Sequence, residues 1–255
     1  GISALKKNCP NILYLNDQIH LLASYKINTL LVEWEDKFPF IGDLAIISHE
    51  AALTPTEVVQ WLDECFNYYL EVIPLIQSMG HLEYALKHER FHNLCELYGV
   101  IGGKTPEKLK YFMICPLKET AKKFVLELHH QILDNMGKHK ASKYVHIGLD
   151  EAYSLGSCSD CQKFVEKEPK NGKSQLFIEY TNWIGQHYLS QGKIPLIWCD
   201  MLFRHPQLID ALDKSKDFDS FLKEKAIKDN KAIKQNMTQS VYEELKNDIR
   251  KQHML

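Results

Sequence analysis

Two carboxylates stand side by side at Asp150 and Glu151, directly after the apolar run Tyr144, Val145 and Ile147. Adjacent like charges repel, and taking either out of water is costly unless a partner or a proton compensates. The plain reading is a strand that meets solvent in an acidic loop. The sharper one is a pair of acids held in different protonation states, as acid–base catalysis requires. Comparable groups recur at the ends of other apolar runs. Glu33, Glu35 and Asp36 end the first, Gln77 and His81 follow the second, and Trp198 and Asp200 close the last. One such ending would be unremarkable. Four that deliver acids, a histidine and a tryptophan make a pocket if one sheet edge gathers them. Taken singly, each has a bland alternative: a lone histidine is usually structural, and a tryptophan is by default core.

The elements that would position these groups are short and nearly continuous apolar runs at 29–33, 70–76, 144–148 and 194–198. Runs apolar on both faces predict strands buried on both sides, as in parallel sheets covered by helices. Helical patterns lie between them. "LTPTEVVQWLDECF" offers Thr54 as N-cap, Pro55 in the first turn and Glu57 as capping-box partner. "PLKETAKKFVLELHHQILDNMG" places Leu117, Ala121, Phe124, Leu128 and Ile132 on one face and stops at Gly137. "SQLFIEYTNWIGQHYLSQGK" repeats the plan and closes at Gly192. Strand–helix alternation predicts an α/β fold with a parallel sheet, either a barrel or an open doubly wound sheet. In both, functional residues collect at the carboxyl ends of strands. From Asp213 the chain turns to Lys, Asp, Glu, Gln and Asn. The expected division is a catalytic region at 1–212 and a charged helical or disordered tail at 213–255.

Composition narrows the function. The 255 residues carry a formal net charge of -2, which speaks against a nucleic-acid partner or an anionic membrane surface. No apolar run reaches the roughly 18 residues of a membrane span. The seven cysteines, at 9, 65, 95, 115, 158, 161 and 199, are odd in number and irregularly spaced, which fits a reducing compartment better than a disulfide framework. Cys158 and Cys161 have the spacing of half a zinc site, but no second C-x-x-C accompanies them, and no metal is expected. A Walker loop, G-x-G-x-x-G and G-x-S-x-G are absent from the sequence, which removes several standard enzyme classes.

The segment "HIGLDE" resembles the H-x-G-x-D-E signature of the family 20 glycoside hydrolases, the β-N-acetylhexosaminidases. "IPLIQSMGH" resembles the strand that reads P-E-I-x-x-P-G-H in that family. "LLVEWEDKFPF", "EVIPLIQSMGHLEYALKH", "HIGLDEAYSLG" and "PLIWCDML" stand in the family's order and look most like its hexosaminidase D branch. The likeness runs from Asn8 to Arg204. It implies a (β/α)8 TIM-type barrel and hydrolysis of terminal β-linked N-acetylgalactosamine or N-acetylglucosamine. It also implies retention by substrate assistance, in which the substrate's acetamido oxygen takes the nucleophile's place. By the same resemblance Glu151 is the general acid and then base, with a raised pKa. Asp150 is the ionised partner of the acetamido N–H, and neither metal nor cofactor is needed. His81 matches a histidine that tunes the acid, Glu35 or Asp36 an acid on the preceding strand, Trp198 a tryptophan packed on the sugar ring, and Asp200 an acid near the substrate. The expected partners are a glycan or glycoconjugate and a second copy of the chain, in cytoplasm or nucleus.

Departures from the family pattern shape two further expectations. "GISALKKNCP" does not resemble the family's first strand, Gln77 stands where many members have Asp, and no later strand is evident after Arg204. The barrel is therefore expected to be incomplete. The alternative function is a truncated, non-catalytic sugar-binding or interaction module. A hydrolase that uses an enzyme nucleophile ranks last.

Overall fold

The computed structural model describes residues 11–97, 107–137 and 142–201. The residues of the expected tail at 213–255, and those of the opening "GISALKKNCP", lie outside them. Four parallel strands form one sheet: β1 (Thr29–Glu33), β2 (Glu71–Leu75), β3 (Tyr144–His146) and β4 (Ile194–Leu196). Their order is β1-β2-β3-β4. A doubly wound sheet reverses strand order near its middle, whereas a barrel adds each strand beside the last. The sheet therefore has the order of a barrel segment, and the choice left open by the sequence pattern falls to the barrel.

The helices are α1 (Ile12–Ser24), α2 (Pro55–Asn67), the short α3 (Glu83–Leu86) and α4 (Glu107–Lys110), α5 (Glu119–Gly137), α6 (Ser159–Glu166) and α7 (Gly172–Ser190). Helix α2 starts as the sequence predicts. Thr54 accepts a hydrogen bond from the Glu57 N–H at 3.2 Å, and Glu57 accepts one from the Thr54 N–H at 2.7 Å. Such a box is worth about 1 kcal/mol. Beyond α7, Gly192 adopts φ +71°, the left-handed conformation that favours glycine. Helix α1 was not anticipated, although Asn11 caps it at the Tyr14 N–H and Ile19 carries its buried face.

Burial follows position in the sheet. Inner strand β2 is buried from Val72 to Leu75, as a strand covered on both faces must be. At the ends of the described sheet, β1 alternates buried residues with half-buried or exposed ones and β4 is half-buried throughout. The strands are shorter than their apolar runs: 70–76, 144–148 and 194–198 each extend past the last paired residue. The loops just past these carboxyl ends carry the residues of the site, with Trp198 the last residue of its run.

Candidate active site

Strand β3 ends at His146, and the chain then turns sharply. Gly148, Leu149 and Glu151 have φ of +68°, +72° and +50°. Only glycine fits at 148, because a Cβ there would lie 2.0 Å from Gln77 Oε1. In a regular strand Asp150 and Glu151 would point to opposite faces. The left-handed residues cancel that alternation and turn both carboxylates toward His81. His81 Nε2 lies 3.2 Å from Asp150 Oδ2 and 3.3 Å from Glu151 Oε2. Neither contact has hydrogen-bond alignment, so the ring nitrogen stands between two carboxylates rather than bound to one. His81 is itself at φ +54°. Backbone strain of this kind costs about 1–3 kcal/mol per residue and collects at functional sites.

The loop after β2 holds His81 in place. The Leu82 N–H donates to Phe112 O, the Ile114 N–H donates to Met79 O, and the Phe112 ring meets the His81 ring edge-on at 4.7 Å. A Cβ on Gly80 would lie 3.1 Å from Asp150 O, so the loops after β2 and β3 are in close contact. Asp200 does not extend into open space. Its Oδ2 accepts the Glu151 N–H at 3.2 Å, which fixes the strained peptide of the acid. The Trp198 backbone N–H donates to Gly148 O, its ring meets His146 at a tilt with centroids 4.5 Å apart, and 40% of its surface stays exposed.

Electrostatics couple Asp150 to His81. The Asp150 carboxylate raises the pKa of His81 against the opposing effect of burial. Burial pushes Asp150 upward, but His81, the Asp150 amide and Gln77 outweigh it, and its pKa lies below the usual value. Asp150 is thus held ionised beside a histidine that readily takes a proton. Burial lowers His146 to about 4, so it remains neutral and braces Trp198. Asp150 Oδ1, Asp200 Oδ1 and Gln77 Oε1 are buried without a hydrogen-bond donor among the described residues. Such acceptors are costly unless a polar ligand or water meets them.

The structure brings Asp150, Glu151, His81, Asp200 and Trp198 together. It places Glu35 and Asp36 on the β1 side. The Asp36 carboxylate pairs with the buried Lys37 ammonium at 2.9 Å. Burial, then the charge of Glu35, pushes the Tyr84 hydroxyl well up. The β1 acid that connects to the cluster is instead Glu33, which accepts from Gln77 Nε2 at 3.0 Å. Sequence reasoning named Glu33 among the strand-end acids but missed Tyr153, whose hydroxyl donates to Glu151 Oε1 at 2.8 Å. Its position two residues after the acid was the available signal.

Comparison with known proteins bears on the family and the fold. Residues 8–215 match the model of the glycosyl hydrolase family 20 catalytic domain. The chain is 31% identical over 214 residues to Hexosaminidase D of Bos taurus, covering 83% of this chain and 57% of that protein. It is 30% identical over 205 residues to Hexosaminidase D of Homo sapiens, covering 80% of this chain and 39% of that one. The chain thus spans roughly half the length of these relatives. A solved β-N-acetylhexosaminidase of Bacteroides fragilis shares the fold at a TM-score of 0.59 and 18% identity, over 76% of this chain and 40% of that one.

Proposed function

The chain belongs to glycosyl hydrolase family 20, and from that premise we propose that it removes terminal β-linked N-acetylgalactosamine or N-acetylglucosamine with retention of configuration. One observation carries the reading: His81 lies between Asp150 and Glu151, within 3.3 Å of both. Glu151 gives its proton to the glycosidic oxygen as the bond to the anomeric carbon breaks. The substrate's acetamido carbonyl oxygen attacks that carbon and forms an oxazolinium ring. Asp150, held ionised, accepts the acetamido N–H and stabilises the positive charge that develops there. Glu151, now a carboxylate, takes a proton from water. The water oxygen attacks the anomeric carbon, the ring opens, and the acid is restored. The exposed face of Trp198 supports a sugar ring stacked beside the scissile bond.

Hydrolysis of a fluorogenic β-N-acetylgalactosaminide and its gluco counterpart tests this, with Glu151→Gln alongside. Turnover by the wild type and its loss in the variant are expected. Equal rates in both would remove Glu151 from the acid's role. A second reading is sugar binding without turnover, in which the exposed face of Trp198 and the unmet acceptors of Asp150 and Asp200 hold a sugar that Glu151, 42% exposed in its side chain, does not protonate. Tight binding of an oxazoline mimic by a wild type that does not hydrolyse substrate would select it. The buried free thiols support a reducing compartment, cytoplasm or nucleus, as the place of action.

A further inference from the structure

A second cluster lies behind the same loop. Cys158 and Cys161 sit at the start of α6, where Cys158 is the N-cap and its sulfur accepts the Cys161 N–H at 3.5 Å. Cys115 comes from the segment between α4 and α5, and Glu96 from the segment before α4. An antiparallel bridge between Cys95 and Ile114 brings these two segments together. Cys115 Sγ is 3.5 Å from both Cys158 Sγ and Cys161 Sγ. One carboxylate oxygen of Glu96 joins the three sulfurs in a group whose atoms all lie within 4.8 Å of one another.

We propose that Glu96, Cys115, Cys158 and Cys161 bind one Zn2+ ion that fastens the loops of the active site to one another. The ligand set is chemically closed: three soft sulfurs and one oxygen, the number and type a structural zinc site uses. Zinc–sulfur bonds of about 2.3 Å at tetrahedral angles separate the sulfurs by about 3.8 Å. The 3.5 Å separations seen here need to open only slightly.

Glu96 is the strongest witness. Its side chain is fully buried, and no lysine, arginine or histidine pairs with it among the described residues. One oxygen accepts the N–H groups of Ser157 at 2.7 Å and Cys158 at 3.1 Å. The other faces Cys161 Sγ at 3.4 Å. A buried carboxylate aimed at three thiols, without a cation, is costly on both counts. A divalent ion compensates the carboxylate and turns the thiols into thiolates, releasing their protons.

The site would act by position rather than by chemistry at the sugar. The Cys115 segment includes Phe112, which meets His81, and the Cys158 end belongs to the loop that carries Asp150 and Glu151. One ion therefore ties the support of the histidine to the support of the acids.

The test uses the full chain, isolated under reducing conditions without chelator. Metal analysis should find about one zinc per chain. Co2+ exchanged into the site should give intense visible bands of a tetrahedral ion with thiolate-to-cobalt charge transfer in the near ultraviolet. Chelation should lower the melting temperature by about 5 °C or more, and Zn2+ should restore it. Glu96→Gln keeps the shape and removes the charge, and should weaken zinc binding at least about tenfold. These readouts do not depend on hydrolysis, so an inactive chain leaves the test intact. A wild type without zinc that shows no charge-transfer band on Co2+ titration overturns the proposal. So does a disulfide joining two of the three cysteines in the freshly isolated chain.

Discussion

Two clusters of acidic groups share the loop between β3 and α6, and they are built in opposite ways. The carboxylate cluster around His81 is partly open to solvent, with Glu151 42% exposed in its side chain. It carries left-handed residues at 81, 149 and 151 and leaves acceptors of Asp150, Asp200 and Gln77 without donors among the described residues. The thiol cluster, buried around Glu96, meets backbone N–H groups at Ser157, Cys158 and Cys161. It has no positive φ at any of its four residues. Strain and unmet acceptors are tolerable where a ligand can satisfy them, and the surrounding fold must over-determine such a site. On the zinc proposal the second cluster is a means of that over-determination. Active groups and anchoring groups are thus distinguished less by residue type than by satisfaction and exposure.

The largest effects should separate the two. Glu151→Gln should lower kcat roughly 10³-fold, within the range expected for a general acid, and Asp150→Asn about 10²-fold or more. Glu151→Gln should lower the melting temperature little, because it removes one member of a like-charged pair; Asp150→Asn also loses the pairing with His81 and should lower it by only a few degrees, about 2–3 °C. Cys161→Ser should do the reverse to stability and lower the melting temperature by about 5 °C or more. Calorimetry on the three variants checks this. A Glu151→Gln chain destabilised as much as Cys161→Ser would erase the contrast. Next in size is Gly148→Ala, which meets Gln77 and a φ of +68° together and should cost about 1–3 kcal/mol in urea unfolding.

How far the sequence disclosed each cluster follows the same division. The acids were legible because strands end in functional groups and because "HIGLDE" is contiguous. Strand β1 falls where its apolar run lies, and the α2 capping box forms as spaced. What the sequence hid depends on the turn. Alternation predicted opposed side chains for Asp150 and Glu151, and only the φ values at 148, 149 and 151 reunite them. Glu35 and Asp36 were singled out by type, yet Asp36 is occupied by Lys37 and the connected acid is Glu33. The thiol cluster was half visible as C-x-x-C. Its other half comes from two segments that meet through the Cys95–Ile114 bridge, and no spacing rule in one sequence predicts such a meeting.

A smaller effect sharpens the electrostatic side. His81 has a raised pKa, so its interaction with Asp150 stabilises the fold fully below the unfolded value of about 6.5 and loses that contribution as pH rises through the folded value. Asp150 has a lowered pKa, so its contribution is present above about 4 and is lost as pH falls through the folded value. The stability gap between wild type and His81→Asn should therefore be widest near pH 5 and narrower near pH 9. Thermal unfolding at both pH values measures it. A gap that widens toward pH 9 would mean that His81 packs against Phe112 but does not pair with Asp150.

The smallest effect asks whether the open cluster has any anchoring of its own. Tyr153 is half exposed, and its hydroxyl holds Glu151 Oε1 at 2.8 Å. Tyr153→Phe removes that hydrogen bond and leaves the ring. An exposed hydrogen bond contributes little to folding, so the melting temperature should stay within about 2 °C. The bond also limits the directions in which the acid can point, and catalysis is sensitive to small misplacement. On that account kcat should fall about three- to tenfold while KM stays nearly constant. An unchanged kcat would show that Asp200 and His81 orient Glu151 without help. A loss of 10²-fold or more would mean that the tyrosine takes part in proton transfer, and the division between active and anchoring groups would have to be redrawn inside the carboxylate cluster itself.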